Sequence, residues 1–235
     1  GRLMDLKTML NQVLGQSGFI EQTTFFTQND PDSRQMVAFA NRAADEMREF
    51  YPWGMIRKSA SITLEEGKLS YDLPEDFDFY LTETMWKSFG ARHVVIPTSD
   101  RYWAFIKAGN PGTRINYFAK FIQGKLEFTA VNAGDVINFD YQSKHAIVDD
   151  SGNTKEHFTS DSDTFLLHDS TLIIGTKAYW LMEKEIPAGQ KAEMDFREHL
   201  KIDVGRDAPA KVIRHRPWGG AYTPYAPPIS ADYLW

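Results

Sequence analysis

The sequence predicts an α+β protein: a helical bundle built from the N- and C-terminal segments, an inserted antiparallel β-sandwich or small barrel, and an extended C-terminal arm. Three observations predict it. Apolar residues recur at helical spacing near both ends, in Leu3, Leu6, Leu10 and Leu14 and again in Leu172, Ile173, Thr176, Tyr179 and Trp180. Between them the pattern alternates, as in Ile56, Lys58, Ala60, Ile62 and Leu64, the period of a half-buried strand. The tail carries Trp218, Tyr222, Tyr225, Tyr233 and Trp235 among prolines at 217, 224, 227 and 228, which block helix and inner-strand pairing. The expected division is 1–52 with 168–210 for the bundle, 53–167 for the β domain and 211–235 for the arm.

The first helix is expected over 3–16, ended by Gly15 and Gly18. The polar stretch Phe19 to Asn29 reads as a loop pinned by Phe25 and Phe26. Asp30 can cap a second helix with Pro31 at its first position, and Met36, Phe39, Ala40, Ala43, Met47 and Phe50 form its apolar stripe. Its other face, with Arg34, Asn41, Arg42, Asp45, Arg48 and Glu49, reads as solvated. After Pro52 the two alternating runs around Glu65, Glu66 and Gly67 predict a hairpin that Pro74 stops. Further strands are expected at Phe79 to Trp86, His93 to Ile96, Ile115 to Phe121, Lys125 to Phe128 and Val136 to Tyr141, with Gly124 and Gly134 as hairpin turns. Ser99 can cap a short helix over Arg101 to Ala108, whose Tyr102, Trp103, Phe105 and Ile106 would cover a sheet. Residues 149–163 are polar and acidic and read as an exposed loop, followed by a short strand at Thr164 to Leu167. A helix from Asp169 or Ser170 to about Pro187, and another over 189–207 with Phe196, Leu200 and Val204 on one face, close the folded part.

Composition narrows the function. With 235 residues, 42% of them hydrophobic, the chain can bury one sizeable core without staples. There is no cysteine, which removes disulfides, thiolate zinc sites and a cysteine nucleophile. Apolar runs are too short to span a bilayer, so no membrane association is expected. The formal net charge is -6, while Lys211, Arg214 and Arg216 face only Asp232 in the tail, so body and tail differ in sign. An acidic body argues against wrapping nucleic acid, which needs clustered Lys and Arg, and suits a surface that DNA passes without sticking.

The six histidines, at 93, 145, 157, 168, 199 and 215, form no ligand pair at helical spacing, so no metal is expected. Asp161, Ser162 and Asp163 resemble the start of a calcium loop, but no Asp-Gly and no twelfth-position Glu follow. Nucleophile-elbow, P-loop and dinucleotide-binding signatures are lacking. Neither a catalytic residue nor a cofactor is therefore assigned. The tail's aromatics offer large contact area at low rotamer cost, the composition of binding hot spots, although such an arm can also pack back on its own domain.

The run NRAADEMREFYPWGMIRKSASITLEEGKLSYDLPEDFDF, residues 41–79, resembles the opening module of head-to-tail adaptor proteins of short-tailed bacteriophages. A helix ends in a Tyr-Pro-Trp corner, a strand and hairpin follow, and Leu-Pro-Glu-Asp-Phe leads into the next strand. IPTSDRYWAF is similar to that family's inserted helix, and GDVINFDYQSKHAIVDD with SDSDTFLLHDSTLIIGTKAYWLMEK to its later strands and closing helix. The resemblance implies a helical bundle with an inserted β domain, assembled as a dodecameric ring beneath the portal in the virion, after synthesis in the host cytoplasm. It implies portal protein, neighbouring copies and a downstream tail nozzle protein as partners. Carried onto this chain, Arg214, Arg216, Trp218, Tyr222, Tyr225, Tyr233 and Trp235 would grip the portal. Asp149, Asp150, Asp161 and Asp163 would face the tail or the DNA channel. Two competing readings are a carbohydrate-binding sandwich with Trp86, Tyr102 and Trp103 as sugar platforms, and an acidic glycan hydrolase whose two carboxylates face an aromatic groove.

Overall fold

The computed structural model describes residues 4–26, 30–88, 92–97, 99–109 and 117–208. The predicted arm, 211–235, lies outside the described residues. The described residues form an α+β fold of five helices and antiparallel sheets.

Helix α1 (Leu6–Gln16) starts where the Asp5 carboxylate accepts from the Thr8 N–H at 2.8 Å, and it buries Leu6, Met9, Leu10, Val13 and Leu14. Helix α2 (Pro31–Phe50) starts as its sequence predicts, with Asp30 accepting from the Ser33 N–H at 3.0 Å and Pro31 at the first position. Helices α4 (Asp169–Glu183) and α5 (Ala188–Asp207) follow the sandwich. α4 is central, packed on α1, α2 and α5, which explains why Leu172, Ile173, Thr176, Tyr179 and Trp180 are all buried on a single helix. Gly175 sets how close α5 comes: a Cβ there would lie 2.7 Å from the Phe196 ring.

The alternation at 57–73 is as predicted, but the hairpin is not. Strand β1 (Arg57–Thr63) pairs along its whole length with β8 (Val136–Ser143), whereas β2 (Ser70–Asp72) pairs with β7 (Lys125–Phe128). Gly67, at φ 74°, turns the chain from one sheet to the other, and the Tyr71 hydroxyl accepts from the Glu65 N–H at 2.7 Å. Ala60, Ile62 and Leu64 from one wall and Tyr71 and Leu73 from the other then share one core, which a flat hairpin could not achieve. The strand predicted at 79–86 splits into β3 (Phe77–Tyr80) and β4 (Trp86–Lys87), around a turn where Glu83 has φ 64°. Both pair with β8 on the edge opposite β1, and β5 (Arg92–His93) extends the sheet from β4. The second sheet is ordered β2-β7-β6, with β6 (Ala119–Ile122) joined to β7 by Gln123 and Gly124, both at positive φ, a two-residue hairpin as Gly124 predicts. Gly134 instead turns between sheets, its N–H donating to the Leu64 carbonyl at 2.9 Å.

The two sheets enclose Met85, Leu126, Phe128, Ile137, Phe139 and Tyr141, with Phe77 and Tyr80 of one against Phe121 of the other at 5.6 and 5.2 Å between centroids. This is an open sandwich, its sheets touching at one side through the Val95 to Phe118 bridge, and not a closed barrel. Helix α3 (Asp100–Ala108) covers the outer face of the smaller sheet through Lys120 to Asp100 and Lys107 to Glu127. Trp103 and Ile106 are buried there, while Tyr102 and Phe105, also expected to cover the sheet, face outward.

A third small sheet, β10 (Thr154–Lys155), β9 (Ile147–Val148) and β11 (Thr164–Phe165), belongs to the helices. Ala146, Ile147, Phe158, Phe165 and Leu167 join the apolar cluster of α1, α2 and α4. Apolar packing thus changes hands near residue 144, earlier than the expected boundary at 167.

Candidate assembly site

The Tyr-Pro-Trp corner fixes the point where the chain leaves the helices. Proline cannot continue α2, and Trp53 turns inward, fully buried, its Nε1–H donating to the Met47 carbonyl at 2.6 Å. Its ring meets Tyr51 edge-on at 5.4 Å and His168 at 5.8 Å. The next residue, Gly54, donates its N–H to Asp207 Oδ2 at 2.8 Å, so the last turn of α5 is tied to the entrance of β1. Burial, and then the Asp207 charge, push the Tyr51 phenol up. One turn back on α5, buried Asp203 accepts from the Thr171 hydroxyl and from Arg206 Nη1 at 3.1 Å. The end of α2, the start of β1, the start of α4 and the end of α5 therefore meet in one corner.

Beside it, the helix face that reads as solvated in sequence is tied to the sandwich through Arg48 and to the third sheet's connection through Asn41. Arg48 is buried, with Nη1 3.2 Å from Asp78 on β3 and Nη2 3.3 Å from Asp45. Asn41, on the same helix, accepts from the Phe158 N–H at 2.8 Å. Nothing local marks either residue, because their partners lie 30 and 117 positions away. Within the sandwich, just before β3, Asp76 ties that segment to β1 and β8, accepting from Lys58 at 2.6 Å, Ser143 at 2.7 Å and Tyr141 at 2.8 Å. Burial opposes the ionised Asp76, but these bonds outweigh it and hold the carboxyl down at about 2. At the far end of the sandwich, Asp135 binds Lys87 at 2.7 Å and the Tyr117 hydroxyl, and burial and that carboxylate raise Tyr117 to about 12.

The acidic loop splits in two. Asp149 accepts from the Ser151 and Asn153 N–H groups, both at 2.9 Å, and its bonds with Asn153 hold the carboxyl below the usual range; Asp150 beside it is exposed. Asp161 and Asp163 depart from the expectation of a tail- or channel-facing surface. Asp161 turns toward the segment after α1, accepting from the Thr24 hydroxyl and from the Phe25 N–H at 2.9 Å. Asp163 is fully buried, accepting from the Thr159 and Ser160 N–H groups at 2.7 and 2.8 Å with Lys155 Nζ at 2.7 Å. Polar sequence here satisfies backbone rather than meeting water. The arm residues Arg214, Arg216, Trp218, Tyr222, Tyr225, Tyr233 and Trp235 lie outside the described residues.

The three suggested sugar platforms do not share a face. Trp86 is opposite Asn138 and His93 on the outer face of the larger sheet, Tyr102 rides on α3 over the smaller sheet, and Trp103 is buried. Among the described residues no group of three or more His, Cys, Asp or Glu could hold a metal ion, and no helix is long and apolar enough to cross a membrane.

The described residues thus form a helical body with an inserted sandwich, held together by polar groups tied across distant segments. The chain belongs to the SU10 adaptor protein family, whose model matches residues 4–212. It is a bacteriophage structural protein of the head-tail adaptor kind, and membership implies a place in the virion and association with portal and tail proteins. No curated protein matches it.

Proposed function

We propose that this chain forms a ring between the portal and the tail, continues the DNA channel, and does so without catalysis. The family match over residues 4–212 carries the reading. Its support in the fold is the corner at Tyr51 to Gly54, which fixes both the entrance to the sandwich and the end of α5, so that one rigid body can present two surfaces to two partners. The C-terminal arm, with Trp218, Tyr222, Tyr225, Tyr233 and Trp235 as anchors and Arg214 and Arg216 as cations, grips the portal. Many weak arms acting together give avidity. Asp149 and Asp150, at the tip of the β9–β10 turn, face the next tail protein or the channel, where negative charge keeps DNA from adhering.

Sedimentation of the full chain and of a chain ending at Ala210, each alone and with the cognate portal ring, tests this. Many full-length copies should travel with each ring and the shortened chain should not. No association of the full chain would overturn the proposal.

A further inference from the structure

Among the described residues, the larger sheet ends on a strand that is paired on one edge only. β1 pairs with β8 on one edge, and no described strand pairs with its other edge along its seven residues. The ladder shows which groups are left over. Leu64 N–H donates to the Asp135 carbonyl, while Val136 and Asp140 carbonyls accept from Ser88 and Leu81 on the far side of β8. Antiparallel pairs alternate, so Ser59, Ser61 and Thr63, opposite Asp140, Asn138 and Val136, direct their N–H and C=O groups to the open edge. Arg57 N–H bonds back to the Gly54 carbonyl. β1 has no proline and its ladder with β8 has no register shift, and the charges at its start, Arg57 and Lys58, are engaged by Asp140 and Asp76, so Ser59 to Thr63 carry neither a proline, a bulge nor a charge to guard the edge.

The chain's own C-terminal segment starts where this edge starts. Asp207, the last residue of α5, is bonded to Gly54, three positions before Arg57. Beyond it the sequence runs Ala210, Lys211, Val212, Ile213, Arg214, His215, Arg216 and then Pro217. That is seven residues with a β-branched pair, as long as β1, closed by a residue that cannot donate to a ladder. We propose that residues 210–216 add to the open edge of β1 as a parallel strand and that Pro217 releases the chain toward its partner. The edge thereby aims the arm: Trp218 leaves from the far end of β1 instead of from the end of α5. This inference deepens the portal-arm reading but does not depend on the portal.

Amide hydrogen exchange on the full-length protein tests it, with Ile213→Pro, which removes a ladder donor, as the comparison. Ser59, Ser61 and Thr63 amides should exchange at least tenfold more slowly in the parent than in the variant, with α4 unchanged in both. Because the chain has no cysteine, Ser61→Cys can be combined in turn with cysteine at each of 210–216. Disulfides within one chain at alternate positions are the expected result. Unprotected edge amides, or disulfides that form only between two chains, would overturn the proposal. Portal co-sedimentation of the parent reports on the arm's partner independently: edge protection without portal binding would sink only the portal reading.

Discussion

Replacing Asp76 with Asn removes one charge where the β2–β3 connection is tied to β1 and β8, while keeping the side chain's shape. In the folded chain this carboxylate accepts three side-chain hydrogen bonds, and it is held at about 2 against 3.8 for the free group. The difference of nearly two units is worth about 2 kcal/mol at neutral pH, at ~1.4 kcal/mol per unit. Its side chain is only 13% exposed, so solvent screening removes little of this. The sign follows from a depressed carboxylate: the stabilisation is complete above the unfolded value near 4 and disappears as pH falls through about 2. Urea denaturation of parent and Asp76→Asn at pH 7, 4 and 3 isolates the residue, because the other carboxylates cancel in the difference. The gap should be about 2 kcal/mol at pH 7, nearly the same at pH 4 and roughly half at pH 3. A gap that stays constant down to pH 3, or is negligible at pH 7, would refute the assignment of this cluster as a stabilising tie.

Three other substitutions probe separate parts. Gly175→Ala puts a Cβ into the Phe196 ring and should cost ~1–3 kcal/mol in urea denaturation; an unchanged midpoint would mean that α4 and α5 are not so closely packed. Trp53→Phe keeps the apolar body but leaves the Met47 carbonyl without its partner, for a loss of ~1–2 kcal/mol, whereas a gain in thermal stability would contradict the corner's role. Trp218→Ala and Trp235→Ala should each weaken portal docking by about 2 kcal/mol without changing the melting temperature, and unaltered docking of the double variant would remove the arm from the interface.

The helices were legible because their signals are local. Asp30 and Pro31 start α2, and Pro52 stops it, whatever surrounds them. Strand existence was legible for the same reason at 125–128 and 136–141. Pairing was not: Gly67 allows a hairpin or a change of sheet equally, and the choice depends on Val136 to Ser143, more than sixty residues later, lying beside β1. The acidic stretch misled because an aspartate that caps buried N–H groups has the same sequence appearance as a solvated one; only the positions of Thr24, Phe25 and Lys155 show that Asp161 and Asp163 turn inward.

By itself, then, the sequence determined the order of helical and alternating segments, the absence of thiol chemistry and the aromatic, proline-broken character of the tail, since each is a property of neighbouring residues. The tertiary structure decided which strands share a sheet, that Arg48 joins α2 to β3 while Asp76 ties the β2–β3 connection to β1 and β8, and that α5 ends beside the start of β1. Those depend on groups brought together from far apart in the chain, where burial and charge act only after the fold has placed them.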